Sequence, residues 1–176
     1  MPQLTFNGER IEARPGETLL SAARRHGAHV WFLCDGRGIC QTCLCRVMEG
    51  RDQMAPASDL ERAGLGGSRI RRGYRLGCQA RIAGSGAVTV ESRAEELLRS
   101  GRRLAAAREV RSGIERLIAF NQVALGAVFD FARGVAGASP HLVPQLLRHP
   151  PTPRRVVAWT GDGWRLARRL MRDVLA

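Results

Sequence analysis

The chain has 176 residues, a formal charge of +12, 44% hydrophobic residues and 25% charged residues. That is the composition of a folded protein, not of a disordered or collagen-like one. All 28 basic residues are arginine. Five cysteines are too few for a disulfide scaffold. The start Met1-Pro2-Gln3-Leu4-Thr5-Phe6 has neither the basic nor the apolar region of a signal peptide. The expected compartment is therefore the cytoplasm, where thiols stay reduced and clustered cysteines point to metal or catalysis. The arginine excess suits solubility, an acidic protein partner or an anionic membrane surface. Nucleic acid is not expected, because no recognition motif accompanies the charge.

Leu4 and Phe6 alternate with polar residues, Asn7-Gly8 is a strong hairpin turn, and Ile11 and Ala13 resume the alternation. A helix is predicted from about Thr18 to His26, with Leu19, Leu20, Ala22 and Ala23 on its apolar face and Gly27 as its left-handed stop. A glycine-rich loop follows with three cysteines. Leu44–Glu49 reads as a strand. Ser58-x-x-Glu61 forms a capping box for a short helix ending near Gly64. Strands at Arg75–Ile82 and Ala87–Glu91 complete this half. The pattern then turns helical near residue 92. Residues 1–92 hold 13 arginines and 9 acids, and residues 93–176 hold 15 and 7.

Cys34, Cys40 and Cys43 form C-x5-C-x2-C, and 34 residues separate Cys43 from Cys78. Three close thiolates and a distant one suit an iron–sulfur cluster inside a folded domain: the loop wraps one iron and part of the other, and the fold delivers the last ligand. Gly36 and Gly38 let the backbone approach, so that amide N–H groups can point at the sulfurs. Such bonds favour the reduced, more negative state. Zinc stays open on spacing alone, although structural zinc sites usually show two C-x2-4-C pairs and Cys78 has no close partner. Cys45 alternates with Val47 and reads as a buried, inert thiol. His26, His29, His141 and His149 show no paired C-x-H spacing and are read as non-ligands.

The segments Cys34-Asp35-Gly36-Arg37-Gly38-Ile39-Cys40-Gln41-Thr42-Cys43 and Arg75-Leu76-Gly77-Cys78-Gln79 resemble [2Fe-2S] ferredoxins. The x5 spacing is similar to the adrenodoxin/putidaredoxin branch, not to the x4 of plant-type ferredoxins. The resemblance covers roughly residues 1–92. It implies an α+β, β-grasp fold, one [2Fe-2S] cluster on Cys34, Cys40, Cys43 and Cys78, and transfer of one electron from a reductase to an oxygenase or other acceptor. Two departures stand out. That branch docks through an acidic helix before the last ligand, but here Arg62, Arg69, Arg71, Arg72 and Arg75 face only Asp59 and Glu61. The second is the extension 93–176, which the resemblance does not cover.

In that extension, residues 94 to about 135 read as one or two helices. The apolar stretch between Arg116 and Asp130 has 13 residues, against the ~20 of a membrane span. Ser139–Pro153 holds five prolines and reads as a linker or irregular crossing. A last helix is expected from about Asp162 to Leu175, with Trp164, Ala167, Leu170, Met171 and Val174 opposite Arg165, Arg168, Arg169 and Arg172.

The expected function is a single-electron carrier whose basic extension attaches it to a redox complex or to the cytoplasmic membrane face. Its expected partners are a redox donor and acceptor with acidic surfaces, and no small-molecule substrate or independent turnover is expected. The alternative is a non-catalytic, cluster-bearing assembly subunit resembling chlorosome iron–sulfur proteins; a redox sensor is a third reading.

Overall fold

The computed structural model describes residues 3–28, 30–32 and 34–106, together with single helical positions beyond 113. Strand β1 (Gln3–Phe6) turns through Asn7 (φ 52°) and Gly8 (φ 85°) into β2 (Glu9–Glu12). Both turn residues have the positive φ of a tight hairpin, as Asn-Gly predicts. Helix α1 (Leu19–Arg25) starts at Thr18, whose Oγ1 accepts from the Ser21 amide at 3.2 Å. It buries Leu19, Leu20, Ala22 and Ala23, and Gly27 ends it at φ 72°.

The next elements are β3 (Leu44–Glu49), a short 3-10 turn Arg51–Gln53, and α2 (Asp59–Arg71). They lead to β4 (Tyr74–Leu76), β5 (Ala87–Ser92) and α3 (Arg93–Ala106). The sheet order is β2-β1-β5-β3-β4. β5 lies at its centre, parallel to β1 and antiparallel to β3, and a bulge between Val47 and Glu49 shifts that second register. The core joins α1 to one face of this sheet through Leu4, Phe6, Leu19, Val47, Leu76, Val88 and Val90. A mixed sheet gripping one helix is the β-grasp arrangement.

Two elements depart from the sequence reading. Helix α2 is interrupted at Gly66 (φ 71°, ψ 158°), close to the expected end near Gly64, and a further helical stretch that the sequence reading did not include then runs on to Arg71. Burial of Leu65 anchors this glycine-rich stretch where intrinsic propensity is weak. The expected strand Arg75–Ile82 leaves the sheet after Leu76. Gln79 N and Ala80 N both donate to the Leu76 carbonyl at 2.8 Å, closing a turn that carries Cys78. Ile82 returns only as a single bridge to Met54.

Helix α3 follows β5 without a gap and buries Ala94 and Leu98. The expected terminal helix lies largely outside the described residues, including Arg165, Arg169 and Arg172. Within the expected proline-rich crossing, the described positions Pro144, Leu147, Arg148 and Pro153 are helical. No helix among the described residues is long and apolar enough to cross a membrane.

Candidate metal centre

The loop between α1 and β3 folds through four left-handed positions: Asp35 (φ 54°), Gly36 (φ 83°), Gly38 (φ 74°) and Gln41 (φ 55°). Such turns aim successive amides inward and form a concavity for negative charge. At Gly38 the φ favours glycine, and a Cβ there would also sit tightly, 3.2 Å from Gln79 Cγ and from Leu60 Cδ1. The ligand turn closes against this loop. Gly77 N donates to the Cys43 carbonyl, and Leu20 N of α1 donates to the Gly77 carbonyl, both at 2.8 Å.

The four sequence-predicted cysteines come together as two thiol pairs. In the first, the Cys34 amide donates to Cys40 Sγ at 3.3 Å. The bond from the Cys40 thiol, joined by backbone N–H groups of Cys40, Ile39 and Arg37, draws the Cys34 thiol down to about 5. The same pairing, with burial, pushes Cys40 up. Thr42 Oγ1 lies 3.0 Å from Cys40 Sγ. In the second pair the bond from Cys43 lowers Cys78, aided by the Gln79 side chain and the Gly38 amide, while Cys43 rises. Cys40, Cys43 and Cys78 are buried, and Cys34 is half-buried and forms the accessible edge.

Among the described residues, no three His, Cys, Asp or Glu side chains converge as a single-ion site requires. Two pairs of soft donors supplied with backbone N–H groups fit a two-iron cluster. Cys45 stands apart: it is buried at 1% exposure, its Sγ donates to the Cys43 carbonyl at 3.3 Å, and burial pushes its thiol up to about 12. His26 caps α1, with Nε2 2.8 Å from Arg25 Nη1. His29, His141 and His149 lie outside the described residues.

Four side chains brace this centre in roles that the sequence reading did not assign to them. Gln79 Nε2 donates to the Gly36 carbonyl at 2.9 Å and approaches Cys78 Sγ at 3.6 Å. Gln41 Nε2 ties the loop to the Gly64 carbonyl of α2 at 2.9 Å. Beneath them, the fully buried Glu61 receives both Nε and Nη2 of Arg75 at 2.9 Å, together with the amides of Leu76 at 2.9 Å and Ser58 at 3.0 Å. The capping box marked Glu61 at the helix start, but its grip on β4 is a tertiary contact that spacing does not reveal. Arg75 is therefore no part of the exposed basic charge before Cys78, as its sequence position suggested. An open cleft of about 420 Å³ lies beside Cys78, lined by Leu20, Arg24, Phe32 and Asp35 among others. The Arg24 guanidinium sits 3.9 Å over the Phe32 ring.

Residues 4–83 match the family described as 2Fe-2S iron-sulfur cluster binding domain. Over 96 residues the chain is 44% identical to chlorosome protein I of Chlorobaculum tepidum, a match covering 54% of this chain and 39% of that protein. The matched stretch thus spans well under half of that relative's length. Over 92 residues it is 39% identical to a 2Fe-2S ferredoxin of Pseudomonas aeruginosa, covering 47% of this chain and 82% of that protein. Among solved structures, the ISC-like [2Fe-2S] ferredoxin of Pseudomonas putida JCM 20004 is similar at 32% identity and a TM-score of 0.45, over 52% of this chain and 91% of that one.

Proposed function

The chain belongs to the [2Fe-2S] ferredoxin family and carries one such cluster, and from that premise we propose that Cys34 and Cys40 hold one iron, that Cys43 and Cys78 hold the other, and that the protein passes single electrons between redox proteins. The observation that carries this reading is the arrangement of the four thiols as two pairs, one with an accessible edge. When bound, the cluster supplies the one-electron couple. The chain supplies the thiolates, the N–H groups that stabilise their charge, and the buried surroundings that keep water from three of the four sulfurs. Substrate turnover by this chain alone is not expected.

The basic segment 93–176 attaches the carrier to an acidic protein complex or to the cytoplasmic face of a membrane. Both attachments weaken with salt, because the Debye length falls to ~3 Å at 1 M. A second reading, a cluster-bearing assembly subunit, is favoured by the 44% identity to chlorosome protein I. A carrier re-reduces rapidly in solution with a reductase; an assembly subunit co-purifies in fixed stoichiometry.

The test of the ligand set is anaerobic purification of Cys→Ser variants. The native protein should hold two irons and two sulfides and give a one-electron paramagnetic signal on reduction. Changing Cys34, Cys40, Cys43 or Cys78 should empty or destabilise the site, and Cys45→Ser should leave it intact. Loss of the cluster on changing Cys45 alone would overturn the assignment.

A further inference from the structure

The edge of the sheet away from the ligand turns carries a concentration of arginine that the metal centre does not use. Arg46 on β3 and Tyr74 on the edge strand β4 are register partners. The guanidiniums of Arg46 and Arg72 both lie over the Tyr74 ring, 5.5 and 5.9 Å from its centroid. Arg51 donates to the last carbonyls of α2, Arg71 O at 3.0 Å and Arg72 O at 3.2 Å, and so closes the helix end that presents Arg69, Arg71 and Arg72. Arg71 and Arg72 are exposed, and Arg46 and Arg69 are half-buried.

Among the described residues no carboxylate forms an ion pair with Arg46, Arg69, Arg71 or Arg72. The acids that face this edge are already engaged. Glu96 accepts from Tyr74 Oη at 3.1 Å and pairs with Arg93 at 2.7 Å, and Glu91 pairs with Arg99. The patch therefore keeps a net positive charge beside Glu91, the register partner of Arg46, and two of its guanidiniums lie over the Tyr74 ring. A fixed, planar guanidinium suits bidentate recognition of a carboxylate. Insertion into a lipid surface calls for apolar side chains beside the charges. On the described strands and α2 the exposed large apolar residues are only Met48 and Leu60.

Arg46 comes three residues after Cys43, and Tyr74 four before Cys78. At the rise of an extended strand, ~3.3 Å per residue, the patch stands about 10 Å from the ligand turns. We propose that the surface formed by Arg46, Arg69, Arg71 and Arg72 around Tyr74 is the docking face for an acidic redox protein. This rests on the one-electron-carrier reading and assigns it a partner surface within the ferredoxin domain, separate from the basic extension.

The test uses the full-length oxidised holoprotein and cytochrome b5, a small haem protein with an acidic face, as probe. Binding is measured by titration calorimetry at low and high salt. The triple variant Arg69→Gln, Arg71→Gln, Arg72→Gln should bind about tenfold more weakly at low salt. The difference should vanish at high salt. A charge-matched control, Arg10→Gln, Arg14→Gln, Arg103→Gln, should keep most of the affinity. Equal losses in the two triple variants would mean that only net charge matters, and would overturn the proposal. So would unchanged binding by the triple variant, or loss of its binding to phosphatidylserine vesicles with cytochrome b5 affinity intact. Iron and sulfide content and one-electron reduction are measured on the same samples. Their absence in the native protein would instead defeat the carrier reading itself.

Discussion

Glu61 and Arg75 form a buried pair in which each partner makes the other's charge tolerable. Burial pushes the Glu61 carboxyl up, but the Arg75 guanidinium and the Ser58 and Leu76 amides outweigh it, and the net shift is downward. Arg75→Met leaves that carboxylate buried without its partner and should cost ~3–5 kcal/mol in denaturant unfolding of the holoprotein. Glu17 is also depressed, to about 2, chiefly by its bond from Arg25. A carboxylate lowered by folding stabilises the fold fully above its unfolded value, 4.5 here, and loses that contribution as pH falls through the folded value. Stability should therefore decline between about pH 4.5 and pH 2. Glu17→Gln should flatten that part of the curve when unfolding midpoints are plotted against pH. At the centre itself, the Gln79 N–H near Cys78 Sγ favours the reduced state. Gln79→Leu should lower the reduction potential, by at most about 60 mV if one ordinary hydrogen bond is lost, as read in a spectroelectrochemical titration.

Secondary elements decide where the ligands stand, and their ends matter most. Gly73, between α2 and β4, has φ 89°, and a Cβ there would lie 2.6 Å from the Val47 carbonyl. Gly73→Ala should destabilise by at least ~1–3 kcal/mol, because strain and clash add, and a lowered thermal midpoint would show it. Much at this scale was legible in the sequence. Alternation marked β3 at Leu44–Glu49, Asn7-Gly8 marked the hairpin, and Ser58 and Glu61 marked the start of α2. What stayed hidden depends on contacts distant in sequence. The second helical stretch of α2, after the break at Gly66, has no signal in the spacing, and the departure of Cys78 from the ladder needs hydrogen bonds back to Leu76. The cysteine motif announced a cluster, but spacing alone cannot show that Cys78 faces Cys43 while Cys34 faces Cys40, since 34 residues lie between Cys43 and Cys78. Gln79, Gln41 and Thr42 were equally hidden, because a polar residue near a ligand has no periodic signature.

For the whole molecule, the change of pattern near residue 92 does not coincide with the end of packing. α3 buries Ala94 and Leu98, and Arg99 reaches back to Glu91 on the central strand. A chain truncated to 1–106 should fold and keep its cluster. Truncation to 1–92 should expose the sheet face that Leu98 covers and lose on the order of 2 kcal/mol, the contribution of one buried leucine. Comparing the unfolding midpoints of the two holoproteins checks this, and equal midpoints would show that α3 contributes nothing to the fold.

The parallel pairing of β1 with β5 also sets the order of events at birth. The first strand cannot find its central neighbour until residues 87–90 have been synthesised, and pairing so remote in sequence closes slowly. Cys34, Cys40 and Cys43 are all synthesised before that moment, ahead of both Cys78 and the strand that completes the sheet. For that interval they are unprotected thiols, open to oxidation and to stray metal ions. Growth conditions that lengthen it, oxidative stress above all, should reduce the yield of loaded protein before they harm protein already folded.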